Sequence, residues 1–151
     1  ESAYVIMGDQ FFWRQDGGSN AAGLAELVAE RGLTAGLLGN PVEDEFIPQT
    51  GIIEKDEEGN FVRIVEKPKL EEAPSNLNNS SFYVLPKEVF ELARILPANP
   101  IRGEFELTDA INAYVAGGGK LVVGEAKGEY MECGSPKGWL AANNRMFELD
   151  I

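Results

Sequence analysis

Histidine is absent from this sequence, and cysteine occurs once, at Cys133. The first absence removes Ser-His-Asp and Cys-His nucleophile arrangements and His-ligated zinc. A single cysteine cannot close an internal disulfide, so a reducing, cytoplasmic compartment is the expected setting. Basic residues are scarce too: 13 against 25 acidic ones give a formal net charge of −12. That balance argues against nucleic acid or an anionic membrane surface as the main partner. No apolar run approaches the ~20 residues a membrane helix needs, and no basic-then-apolar signal segment opens the chain. Chemistry here is left to carboxylates, lysine, backbone amides or an oxygen-bound metal. A phosphate ligand stays open, because a local lysine or a metal ion can reverse the field inside a site.

What is present is ordinary for a folded chain. The 151 residues are 44% apolar and 25% charged, enough for one domain, residues 1–151, with a real core. The most informative run is residues 65–76, which opens Val65-Glu66-Lys67-Pro68-Lys69. Two opposite charges end an apolar strand, and Pro68 stops it because proline cannot donate to the ladder. Side chains alternate in a regular strand, so Glu66 and Lys67 point apart unless the strand end relaxes. If it relaxes, both heads reach one ligand, and a carboxylate for hydroxyls beside a lysine for phosphate suits a sugar phosphate. The same residues also read as a solvated strand end before a charged loop, and the local residues alone favour that reading.

Patterning organises the rest. Residues 3–7 read as a buried strand ending at Gly8-Asp9. Residues 15–20 form a Gly-rich loop, with Asn20 as the cap of a helix through Val28 and Gly32 just past its end. Residues 34–38 read as the next strand. Residues 50–54 and 61–67 read as a hairpin around a turn that contains Gly59. Residues 70–79 read as a polar loop, and residues 81–85 as a strand leading through Pro86 into a helix with Val89, Phe90, Ala93 and Leu96 at helical spacing. After a loop at 97–103, Thr108 caps a helix ended by Gly117-Gly118-Gly119. Residues 121–126 and 129–133 read as a strand pair around Lys127-Gly128. Ser135-Pro136 opens a last helix anchored by Leu140, Met146, Phe147 and Leu149. Strands alternating with helices, with an inserted hairpin, predict an α/β fold: a mixed, Rossmann-like sheet with flanking helices.

Several segments, in order, resemble the sugar nucleotidyltransferase family, and within it the bacterial UTP–glucose-1-phosphate uridylyltransferases, or UDP-glucose pyrophosphorylases. They are residues 5–9, residues 51–54, Val65-Glu66-Lys67-Pro68-Lys69, Ala73-Pro74-Ser75-Asn76-Leu77, Tyr83-Val84-Leu85, residues 103–111 and Cys133-Gly134-Ser135-Pro136. Their joint order and spacing span almost the whole chain. The resemblance implies a nucleotidyltransferase-like enzyme that uses magnesium and binds a sugar phosphate with a nucleoside triphosphate or sugar nucleotide. It implies that Asp9 and Glu132 are metal ligands and that Asp9 and Lys67 are catalytic. It also implies that Glu66, Lys67, Asn76, Asp109 and Gly134 bind substrate, with Glu104 near the site. In this context the ligand reading of Glu66 and Lys67 moves ahead of the solvated strand end. For Asp109, a helix first-turn carboxylate remains an equal alternative.

Departures from the family pattern shape further expectations. The chain opens a few residues before Asp9, so the family's glycine-rich phosphate loop and base-reading residues are expected to lie outside this sequence. Little activity is then expected from this chain alone, and an apolar sheet edge is expected to drive self-association or to be covered by a partner. Glu132 stands where the family has aspartate, and Ser81 where a glycine is expected. The run Gln10-Phe11-Phe12-Trp13 is more aromatic than the usual loop there, and core packing is the simplest reading of it. A non-catalytic assembly or regulatory module is the competing function, and thymidylyl or guanylyl transfer a third.

Overall fold

A computed structural model describes residues 1–100 and 103–149. The loop expected at 97–103 therefore falls partly outside the described residues. Strand β1 (Ser2–Ile6), β2 (Gln10–Trp13), helix α1 (Asn20–Glu30), β3 (Gly36–Pro41), β4 (Gly51–Lys55), β5 (Phe61–Glu66), β6 (Leu77–Pro86), α2 (Lys87–Ile95), α3 (Leu107–Ala116), β7 (Val122–Glu125), β8 (Glu129–Glu132) and α4 (Pro136–Glu148) follow in chain order. Short 3-10 turns precede β4 and β6. The main sheet runs β5-β4-β6-β3-β7, with β1 added to β6. It is antiparallel except where β3 runs parallel to β7, and β2 and β8 form a separate two-stranded ladder. This is the mixed α/β sheet with flanking helices and a hairpin, β4–β5, that the pattern predicts.

Helices cover both faces of the sheet. On one face Ile53, Ile64 and Leu85 of the sheet pack with Val89 of α2 and Ile111 of α3. On the other, Leu24 and Val28 of α1 meet Leu38, Val84 and Val122. The longest strand, β6, carries the pattern of a central strand and is buried along most of its length, as expected where both faces are covered.

Several expectations change. The strand at 3–7 exists, but it is not buried: β1 pairs along one edge, with β6, and Tyr4, Ile6 and Met7 are exposed. Among the described residues its other edge has no strand partner, the apolar edge anticipated from the sequence. Ser19, not Asn20, caps α1 by accepting from the Ala22 N–H. Asn20 instead clasps the Lys127 backbone, donating to its carbonyl and accepting from its N–H. Glu106, not Thr108, precedes α3, and Thr108 is buried as the second residue of the helix. The loop at 70–79 already enters β6 at Leu77.

Strands β7 and β8 do not pair with each other. The outer edge of β7 is occupied by the hairpin turn, where Asn60 bridges Val122 and the Val123 N–H donates to Gly59 O. The chain therefore leaves the sheet through Gly128, at φ +99°, and β8 pairs with β2 instead. The aromatic run at 10–13 is thus a strand rather than a loop, and Phe12 packs against Phe82 and Tyr130. Helix α4 is capped by Ser135 as expected, but its anchors are not core: Leu140 and Phe147 are exposed and only Ala142 is buried. Buried Ala142 and a two-point bond from the Arg145 guanidinium to Glu129, at 2.6 and 3.0 Å, link α4 to the rest of the fold.

Candidate active site

The end of β5 departs from regular strand geometry. Glu66 is the last strand residue, and Lys67 follows at φ +46°, the left-handed region that non-glycine residues seldom adopt. The Lys67 N–H donates to Thr50 O, and Pro68 behind it is buried. This kink cancels the alternation that would send the two side chains apart. Both line one cavity of about 480 Å³, together with Asp9, Gln10, Thr50, Tyr83, Glu106, Thr108, Tyr130 and Glu132.

Glu66 lies over Gly51, its partner on β4: a Cβ there would stand 2.9 Å from Glu66 Oε1. Glu66 and burial act together on Tyr83, whose phenol is pushed above its usual pKa, mainly by desolvation. Asn79 donates to the Tyr83 hydroxyl at 2.7 Å, so a protonated phenol sits beside the carboxylate.

The opposite wall comes from the β2–β8 ladder. Gln10 pairs with Glu132, and one step further the Cys133 N–H donates to Asp9 O at 2.7 Å. The carboxylates of Asp9 and Glu132 converge over Gly134. A Cβ on Gly134 would stand 3.0 Å from Asp9 Oδ2 and 2.8 Å from Glu132 Oε1, so the two oxygens are separated by no more than those two lengths together. Tyr130 registers both charges: burial first, then Glu132 and Asp9, push its phenol up to about 12. It stays protonated at any physiological pH; its side chain bonds with Asn78 and lines the cavity.

Glu132 does not simply reach further out than an aspartate would. The Ser135 hydroxyl donates to its Oε2 at 3.2 Å, which draws the longer side chain back onto the first turn of α4. Ser81, where a glycine is expected, sits at φ +57°. It occupies a bulge where the β3–β6 register shifts between Leu38 and Gly39, and it accepts a hydrogen bond from Gln10 Nε2 at 3.3 Å. The backbone there has the shape a glycine takes at no steric cost.

Three expected residues are not among the cavity's lining: Gly134 lies beneath the Asp9–Glu132 pair, and Asn76 and Asp109 stand off. Asn76 is exposed, and its carbonyl accepts from the Val42 N–H. Asp109 accepts from Asn99 Nδ2 at 3.2 Å within its own loop and helix, while Glu106, Leu107 and Thr108 from the same segment line the cavity. Residues not anticipated are Asn78, Tyr83, Glu106 and Tyr130. Asn78, only 3% exposed, falls in the polar loop expected at 70–79; its burial on β6 is visible only in the structure.

Among the described residues no three His, Cys, Asp or Glu side chains gather as a metal cluster. Asp9 and Glu132 offer two hard oxygen donors. A cation that keeps waters and takes phosphate oxygens for its remaining positions fits such a pair. The lining carries four carboxylates, Asp9, Glu66, Glu106 and Glu132, against one lysine. A phosphate ligand in that field requires a cation beside it.

The chain matches the nucleotidyl transferase family over residues 1–148. It belongs to that family. It is 38% identical over 120 residues to the bifunctional protein GlmU of Methanococcus maripaludis, covering 79% of this chain and 27% of that protein. It is 40% identical over 86 residues to a UTP–glucose-1-phosphate uridylyltransferase of Pseudomonas aeruginosa, covering 56% of this chain and 30% of that enzyme. The structure is similar to a UDP-glucose pyrophosphorylase solved with UDP-glucose, with a TM-score of 0.86 and 27% identity over 98% of this chain and 56% of that one. The chain thus spans under a third of these curated relatives and about half of that solved chain. Among the described residues no helix is long and apolar enough to cross a membrane.

Proposed function

We propose that this chain carries the sugar-phosphate and metal side of a nucleotidyl transfer site, the reaction being uridylyl transfer from UTP to glucose-1-phosphate. The observation that supports it most is the meeting of Glu66 and Lys67 with Asp9 and Glu132 around one cavity. In the reaction a phosphate oxygen of glucose-1-phosphate attacks the α-phosphorus of UTP. A new P–O bond forms, the bond to the β-phosphate oxygen breaks, and the electron pair leaves with pyrophosphate. No covalent intermediate with the protein is needed, which suits a chain without histidine.

Glu66 accepts from glucose hydroxyls, and Lys67 holds the sugar phosphate as a point charge. Asp9 and Glu132 are the residues that would hold magnesium, which when bound neutralises charge on the reacting phosphates. Gly134 lets the backbone come close at this corner. Asn76 and Asp109 are left out of the assignment because they stand off the cavity. The proposal includes little activity for this chain alone and a cytoplasmic setting.

Calorimetric titration with UDP-glucose, glucose-1-phosphate and dTDP-glucose, with and without magnesium, tests this reading. Magnesium-dependent preference for UDP-glucose is expected. Loss of a hydrogen bond to a charged group costs about 1.5–3 kcal/mol, so Glu66→Ala or Lys67→Ala should weaken binding by roughly 10- to 100-fold. Unchanged affinity in both variants would remove them from the sugar site.

The exposed β1 edge supports a second reading, an assembly or regulatory module. Among the described residues that edge has no strand partner, Tyr4, Ile6 and Met7 near it are exposed, and a second copy of the chain is the proposed cover. Sedimentation should show mass rising with concentration, suppressed by Ile6→Lys. A monomer at all concentrations would discard this association.

A further inference from the structure

We infer that Gly134 and Ser135 are positioning residues that set the separation of the Asp9 and Glu132 carboxylates. This rests on the reading of that pair as the cation-holding corner. The side of Gly134 where a Cβ would project is filled by the tips of both acids, with Glu132 Oε1 at 2.8 Å and Asp9 Oδ2 at 3.0 Å from that point, while Asp9 Cβ lies at an ordinary 3.6 Å. A methyl group at 134 evicts carboxylate oxygens and meets no backbone atom at short range. Gly138 is different. A methyl there meets Glu132 Oε2 and also the Glu132 carbonyl at 2.6 Å, so it would push α4 itself away from β8.

Ser135 supplies the second restraint. Its hydroxyl accepts from the Gly138 N–H at 3.0 Å and donates to Glu132 Oε2 at 3.2 Å. One oxygen of Glu132 is therefore tied to the first turn of α4, and the other lies over Gly134 facing Asp9. The longer acid is compatible with a two-carboxylate corner because the glycine leaves it room and the serine holds its outer oxygen. A shorter acid at 132 would withdraw from the space over Gly134, so the two positions are coupled.

Mn²⁺ binding followed by electron paramagnetic resonance, on the chain and its variants, tests the inference, with metal-free thermal unfolding measured in parallel. Gly134→Ala should weaken Mn²⁺ binding at least tenfold in the Glu132 background and far less in the Glu132→Asp background. Its metal-free unfolding penalty should shrink in the same double variant. Equal penalties in both backgrounds would overturn the coupling, as would wild-type Mn²⁺ affinity in Gly134→Ala. Ser135→Ala should lower Mn²⁺ affinity several-fold and Ser135→Thr restore it; full affinity in Ser135→Ala would remove the serine's role. If the wild-type chain binds no Mn²⁺, the cation reading of the pair fails, and the metal-free double-variant comparison alone decides whether Gly134 positions Glu132.

Discussion

Glu66 and Lys67 reach the cavity from adjacent positions at the end of one sheet strand, whereas Asp9 and Glu132 reach it from opposite ends of the chain. The first corner is local. A kink at φ +46° turns two neighbours toward one space, and the strand beneath belongs to the buried sheet. The second corner depends on a two-stranded ladder with half-buried aromatics and on a helix that buries Ala142 and bonds through Arg145 and Ser135. Both corners seat a carboxylate over a glycine, Gly51 under Glu66 and Gly134 under the Asp9–Glu132 pair. The Glu66–Lys67 corner thus inherits the rigidity of the core, and the Asp9–Glu132 corner is only as firm as β2 and β8 make it.

The largest separation between the corners should come from Phe12→Ala. Phe12 meets Phe82 at 5.7 Å and Tyr130 at 5.3 Å between ring centroids. Truncating a half-buried Phe should cost about 2 kcal/mol of stability. Hydrogen exchange should rise in β2 and β8 and stay low in β4 and β5; equal rises in all four strands would mean that the two corners are not independent.

Gly51→Ala addresses the local corner. Its methyl would stand 2.9 Å from Glu66 Oε1 and 3.0 Å from Ile64 Cγ2. A cost of about 1 kcal/mol from overpacking is expected, with roughly tenfold weaker sugar-nucleotide binding and unchanged Mn²⁺ binding. Calorimetry and resonance titration of the same variant check this, and a parallel loss of both ligands would break the distinction.

The smallest effect concerns pH. Hydrogen bonding to Arg145 lowers the Glu129 pKa. A depressed folded-state pKa contributes stability above the unfolded value, ~4.3 for Glu, and loses it as pH falls through the folded one. Arg145→Gln should therefore flatten the fall in melting temperature below about pH 4, with its earliest consequence at α4. An acid profile identical to wild type would show that the exposed pair contributes nothing.

The local corner was legible because its residues are contiguous: Val65-Glu66-Lys67-Pro68 announces a strand end, and only the direction of Lys67 needed coordinates. The hairpin, Gly32, the glycine run after α3 and the Ser135 cap were legible for the same reason, since each is set by neighbours in sequence. The partnership of Asp9 and Glu132 came from resemblance, and no spacing rule predicts it. It requires β2 to pair with β8, and the signal for that, Phe12 beside Tyr130, is visible only once the register is known. Adjacent capping residues defeated the choice between Ser19 and Asn20, because both can accept from a helix N-terminus. The apolar stripe of α4 shows the limit of periodicity, which gives the spacing of Leu140 and Phe147 but not what they face.

One consequence is optical. The chain has two tryptophans, Trp13 on β2 and Trp139 on α4, and both belong to the elements that frame the Asp9–Glu132 corner. None stands on β4 or β5. Intrinsic fluorescence of the unlabelled protein is therefore a one-sided reporter, its emission tied to the ladder and helix around the acids and silent about the strand that presents Glu66 and Lys67.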